Sequence, residues 1–160
     1  MSNHFNFPIL ELDPDVQVFM GVTLLYRNLV ERLDQIDLGE ELSKSEKQMV
    51  IRLDRPRRMG DLARDLMALP STVTAVADGL EAKGLALRER DPDDRRAWLL
   101  KLTDDGTALR TRMLEEAGSA LRAATGLSDD DIETFAALMR KASERLLENG
   151  FPEDLKLCND

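Results

Sequence analysis

At 160 residues the chain suits one domain, or one compact domain with extensions. Apolar residues make up 42% and aromatics only 4%, which argues against a β-sandwich and for helices packed by Leu, Ala, Val and Met; no run of 18 apolar residues exists to cross a bilayer. The formal net charge of -9 is unevenly spread: residues 44–101 hold 13 basic against 10 acidic residues, about +3, while the rest holds 9 against 21, about -12.

Residues 1–13 read as an irregular arm. The stretch MSNHFNFPILELDPD is acidic and lacks a signal-peptide pattern, so a cytoplasmic location is the expectation. From Pro14 to Leu38, Val16, Phe19, Val22, Tyr26, Leu29, Leu33 and Ile36 recur at spacings of three and four, which predicts a helix. Leu24, Leu25 and Val30 widen its apolar face, so it needs more than one packing partner. Ser43 and Glu46 fit a capping box that opens a helix carrying Met49, Val50 and Leu53, with Pro56 as its stop. A short helix is expected around Gly60–Leu66, then a tight connector at Met67–Leu69. Pro70 suits the first position of the next helix, and Gly84 suits the position just past its end.

After Gly84 the period changes to two. Leu85 and Leu87, then Trp98, Leu100 and Leu102, flank the charged run Asp91-Pro92-Asp93-Asp94-Arg95-Arg96, which predicts a hairpin with a protruding loop. Thr103 is a suitable cap for a long helix to Thr125, closed by Gly126. Ser128 caps a last helix whose apolar face is Ile132, Phe135, Ala136, Met139, Ala142 and Leu146. Residues 150–160 read as a tail.

The order helix, short helix, turn, helix, hairpin is that of a helix-turn-helix with a wing, within a mainly α fold. On the helix 70–83, Val73, Val76, Ala77 and Leu80 share one face. Ser71, Ala75 and Asp78 lie opposite, with Thr72 and Thr74 on the flanks. Small hydroxyl side chains let a helix sit deep in a major groove and bond base edges, though Ser and Thr also serve as ordinary helix caps. In the loop, Asp94 can hold Arg96 or the backbone, leaving guanidinium at the tip, where a minor groove attracts it. A self-neutralised surface loop is the plainer reading of the same residues.

The pattern Leu62-Ala63…Leu66, Ser71-Thr72-Val73-Thr74, Leu80-Glu81-Ala82-Lys83-Gly84-Leu85, Arg88…Asp91-Pro92-Asp93-Asp94-Arg95-Arg96, Leu102-Thr103-Asp104-Asp105-Gly106 resembles the MarR family of bacterial transcription regulators. The resemblance spans about 14–149 and is most specific over 71–106. It implies a winged helix-turn-helix at 43–102 and N- and C-terminal dimerisation helices at 14–38 and 103–149. The implied protein is a homodimer that binds a pseudo-palindromic double-stranded DNA operator, usually as a repressor, released by a small aromatic or apolar effector. By position, Ser71, Thr72 and Thr74 would face the major groove, Arg96 with Arg95 beside it would reach the minor groove, and Asp94 would orient the wing. Two departures stand out. Family members often carry arginine where this chain has Ala75 and Gly79, so two DNA-facing charges are expected to be absent. Leu69 stands where a polar cap is usual.

Small residues on the long helix, Ala117, Ala120 and Ala124 beside Leu109, Met113 and Leu121, suit close helix approach, and the excess apolar surface of the outer helices favours a dimer independently of the resemblance. A single His4 and a single Cys158 leave no metal set and no internal disulfide. Cys158 reads as an unreactive tail thiol. The methionines, Met20, Met49, Met59, Met67, Met113 and Met139, could line an adaptable pocket but fit plain core better. With no phosphate loop and no nucleophile elbow, neither an enzyme nor a cofactor is expected. A second reading is a winged-helix protein-interaction module whose acidic helices bind a partner without touching DNA.

Overall fold

Proline, glycine and short polar caps bound the elements of the computed structural model, which describes residues 12–35, 39 and 41–149. Helix α1 (Pro14–Asp34) begins on its proline and ends at Gln35, whose N–H bonds back to the Arg32 carbonyl. The remainder of the expected run to Leu38, residues 36–38, lies outside the described residues. So do 1–11 and 150–160, which hold most of the expected arm, the whole expected tail, His4 and Cys158.

Helix α2 (Lys44–Arg52) opens with the capping box: the Ser43 hydroxyl accepts the Glu46 N–H at 3.3 Å, and the Glu46 carboxylate accepts the Ser43 N–H at 2.7 Å. It ends before Leu53, and the chain then forms β1 (Arg57–Arg58) and α3 (Met59–Asp65). The turn into α4 (Pro70–Ala82) is made by Met67 at φ +51°, a left-handed conformation that costs a non-glycine residue energy. Gly84 takes the same region at φ +71° to close α4.

The two wing strands, β2 (Ala86–Arg90) and β3 (Trp98–Leu102), pair antiparallel from Ala86↔Leu102 to Arg90↔Trp98. Their expected hairpin is one part of a three-stranded sheet. Strand β1 pairs with the other edge of β3, Arg57 opposite Leu100 and Arg58 opposite Leu99, giving the order β1-β3-β2. A two-residue strand has no alternation to read, so the sequence pattern could not announce it. Within β2 it is Ala86 that is buried while Leu87 is exposed.

Helix α5 (Asp104–Thr125) is capped by Thr103, whose hydroxyl accepts the Gly106 N–H at 3.1 Å and donates to the Gly84 carbonyl at 2.7 Å. Gly126, at φ +65°, ends it. Helix α6 (Asp129–Asn149) has a second reciprocal cap: the Ser128 hydroxyl accepts the Asp131 N–H, and the Asp131 carboxylate accepts from the Ser128 hydroxyl and N–H. Those bonds from Ser128 hold the Asp131 carboxyl below the usual carboxylate range.

The described residues divide into two compact units, one within 37–115 and 127–160, the other within 1–36 and 116–126. The core of the first joins Met49, Val50 and Leu53 of the α2 region, Leu62 of α3, Val73, Ala77 and Leu80 of α4, Leu85 and Leu100 of the sheet, and Leu109 and Met113 of α5. Met49 and Met113 are thus plain core. Gly106 is required here: a Cβ on it would sit 2.0 Å from the Leu85 carbonyl oxygen. In the second unit, α1 leaves Val18, Phe19, Leu24 and Tyr26 each 60–68% exposed. On α6, Ile132 and Phe135 are half-buried, whereas Ala136, Ala142, Leu138 and Leu146 are exposed.

Candidate nucleic-acid interface

Helix α4 separates its faces as its sequence demands. Val73, Ala77 and Leu80 are buried and Val76 is half-buried, while Ser71, Thr72, Thr74, Ala75 and Asp78 are exposed. The N-terminal half of α4 therefore presents three hydroxyl groups beside a methyl-sized Ala75. The Thr74 hydroxyl donates to the Pro70 carbonyl at 2.9 Å. Leu69 occupies the cap position with extended backbone and no side-chain bond, and it is largely exposed.

Gly79 corrects a reading of the sequence. It is half-buried, and a Cβ built on it would lie 2.7 Å from Glu46 Oε1. The position faces α2, so an arginine there, as the resemblance implied, would not stand on this chain's outward row. The space beside Gly79 belongs to Glu46, which is buried and accepts Lys83 Nζ at 2.7 and 2.8 Å. Burial alone would raise the Glu46 carboxyl. Hydrogen bonds from Lys83 and from Ser43 outweigh it and hold the carboxyl below the usual glutamate range. One residue thus caps α2 and ties it to the end of α4.

The wing loop is fixed along its length. Asp91, itself buried, accepts the N–H groups of Asp93 at 2.9 Å and Asp94 at 3.3 Å on one oxygen. Its other oxygen accepts Arg58 Nε at 2.7 Å and Nη2 at 2.6 Å. The bond from the Asp93 N–H leads in holding the Asp91 carboxyl low; desolvation opposes, and Arg58 reinforces the lowering. The Asp91 N–H donates to the Ala97 carbonyl and the Ala97 N–H to the Asp94 carbonyl. At the last rung, Arg90 stacks 3.9 Å from the Trp98 ring centroid and donates to the Arg95 carbonyl at 3.1 Å. Asp94 Oδ1 accepts the Arg96 backbone N–H at 3.1 Å, so its carboxylate orients backbone and leaves the guanidinium aside. Arg95 and Arg96 are exposed, and neither guanidinium has an ion-pair partner among the described residues.

Sequence reasoning gave no role to three residues that support this surface: Arg58, which clamps the loop at Asp91; Arg90; and Arg88, which it quoted only within the family pattern. Arg88, on β2, donates Nη1 to Asp78 at 2.7 Å and to Glu81, and Nη2 to the Thr74 carbonyl at 3.3 Å. Their partners lie 5 to 33 residues away, and no helix or strand period carries that signal. A shallow cavity of about 370 Å³ beside the wing base is lined by Arg55, Arg57, Arg58, Asp61, Asp91 and Asp93, among others. Among the described residues no cluster of His, Cys, Asp or Glu suits a metal, and no helix is long and apolar enough to cross a membrane.

The arrangement suits a double-stranded nucleic acid chemically: a slender polar helix face for a wide groove, and a braced loop with free guanidinium for a narrow one. Comparison with known proteins agrees with this geometry. The family model described as MarR family matches residues 51–98. An uncharacterised HTH-type transcriptional regulator, YkoM of Bacillus subtilis, is 33% identical over 88 residues. The match covers 54% of this chain and 57% of that relative, so it spans little more than half the relative's length. Streptococcus pneumoniae FabT in complex with DNA shares the fold, with a TM-score of 0.62 at 19% identity over 85% of this chain and 98% of that one. Bordetella bronchiseptica BpsR, whose DNA binding is regulated by 6-hydroxynicotinic acid, has a TM-score of 0.60 at 25% identity over 82% of this chain and 96% of that one.

Proposed function

We propose that the chain is a member of the MarR family, whose model matches residues 51–98, and that it is a sequence-specific DNA-binding transcription regulator. One observation carries the reading. The hydroxyl-bearing face of α4 and the unpaired guanidinium groups of Arg95 and Arg96 are exposed together on one compact unit, whereas Arg57, Arg58, Arg64, Lys83, Arg88 and Lys101 are spent on ion pairs. Ser71, Thr72 and Thr74 read base edges in the major groove, and the positive N-terminal end of α4 favours the phosphates beside it. Arg96, with Arg95, enters the minor groove, and Asp94 holds the wing backbone that carries them.

The active form is a homodimer. Its support is the uncovered apolar surface of α1 and of α6, which a lone chain leaves in water. Helices within 14–38 and 103–149 supply the pairing, and two copies present two reading helices to half-sites about one turn of DNA apart. The protein acts as a repressor. A small aromatic or apolar ligand releases it by favouring a spacing of the two wings that no longer matches successive grooves, by analogy with the ligand-regulated BpsR.

Selection from a random duplex library with the full chain tests the reading. Enrichment of an inverted repeat is the expected result. Absence of any enriched duplex, together with capture of a protein by the acidic helices, would replace it with the protein-interaction reading.

A further inference from the structure

Asp78 is out of place on a surface meant for DNA. It lies on the row of α4 that carries Ser71 and Ala75, since positions 71, 75 and 78 fall within a narrow arc of the helix. It stands roughly 10 Å further along the axis than Ser71, and its side chain is 61% exposed. A bare carboxylate there would meet the negative potential of the groove that Ser71 and Thr74 enter.

Arg88 answers that charge. It reaches across from β2 to put Nη1 2.7 Å from Asp78 Oδ1, and the same fork bonds Glu81 and the Thr74 carbonyl. The Arg88 side chain is half-buried, with 22% of it exposed. Its orientation is fixed from behind as well, because the Arg88 N–H donates to Glu81 Oε1 at 2.9 Å. The planar fork reaches both carboxylates through one terminal nitrogen and the Thr74 carbonyl through the other. Arg88 is thus a cation supplied by the wing to the reading helix, held short of solvent and aimed at the one acid on that row.

We infer that Arg88 is a positioning residue for DNA recognition: it offsets part of the Asp78 carboxylate's charge on the groove-facing row of α4, sharing its own charge with Glu81, without itself touching DNA. The inference rests on the DNA-binding reading above and adds a role for two residues outside the hydroxyl and wing-tip contacts.

The test uses the full chain and the duplex enriched by the wild-type protein. Binding is measured by fluorescence anisotropy across a salt series, and folding of each variant is checked by thermal melting. Arg88→Gln should weaken binding about tenfold at low salt, because an uncovered like charge faces the phosphates. The deficit should shrink as salt rises and screening shortens to a few ångströms. Adding Asp78→Asn to Arg88→Gln should recover most of the loss. A purely structural role for Arg88 predicts neither the salt dependence nor the rescue, so failure of the double variant to recover overturns the inference. Asp78→Asn alone keeps the arginine and its Glu81 contact, and it answers the question even where Arg88→Gln does not fold. It should bind no more than about threefold tighter than wild type, since Arg88 already offsets part of the removed charge. A tenfold gain would mean the carboxylate is not masked, and a tenfold loss would make Asp78 a base contact; either overturns the inference. A wild-type chain that enriches no duplex instead refutes the underlying DNA-binding reading.

Discussion

The winged core and the outer helices treat apolar surface in opposite ways. In the core, Met49, Leu62, Leu80 and Leu100 are fully buried, and the described ion pairs of the wing join one strand to another, to α4 or to the wing loop. On α1 and α6, residues of the same chemistry lie in the open, Phe19 at 68% and Leu138 at 62%. The first region satisfies itself within one chain. The second leaves apolar residues in water on each of the two helices, as the proposed dimer requires. Stability and assembly should therefore respond to different residues.

The largest effect expected is at Gly106. Alanine there drives a Cβ into the Leu85 carbonyl, backbone against backbone, and should lower unfolding stability by about 3 kcal/mol or more in chemical denaturation. Its counterpart is Gly79→Ala, where the clash is with the end of the Glu46 side chain. Helix propensity gained offsets bonds loosened, and the net change should stay within about 1 kcal/mol. Equal losses at the two glycines would contradict the packing described here.

Next comes the outer surface. Phe19→Glu should leave the denaturation midpoint of the core nearly unchanged while raising the dimer dissociation constant, measured by sedimentation equilibrium, by roughly 2 kcal/mol or more. A variant that unfolds the core would erase the contrast between the regions.

Arg96→Ala touches neither packing nor pairing. It should weaken operator binding by roughly 1–3 kcal/mol and reduce the salt slope by about one unit per half-site. An unchanged slope would remove the wing tip from the interface.

The smallest expected effect is one of pH. The Glu46 and Asp91 carboxyls are both held below their ordinary range, so they contribute stability above that range and lose it as pH falls through their lowered values. Unfolding followed from neutral to acid pH should show this loss, and Glu46→Gln should flatten the part due to Glu46.

Much of this architecture was legible because it is written locally. Pro70 and Gly84 mark the ends of α4, Ser43 with Glu46 and Ser128 with Asp131 write their own caps, and the alternation about the charged loop marks the wing. The unread parts are those made by partners distant in sequence. Strand β1 exists because Arg57 and Arg58 lie against Leu100 and Leu99. The fixed wing depends on Arg58 meeting Asp91, 33 residues on. Gly79 looked like a missing charge until Glu46 was found beside it. Met67 gives no sign in its side chain of its left-handed backbone.

The central claim is that two copies each read a half-site with α4 and the wing. Equilibrium binding of the full chain to three duplexes tests it most directly: the selected inverted repeat, the same repeat with half a helical turn inserted between its halves, and a single half-site. The account predicts tight binding to the first and a loss of at least about tenfold for the other two. Equal affinity for all three would contradict it.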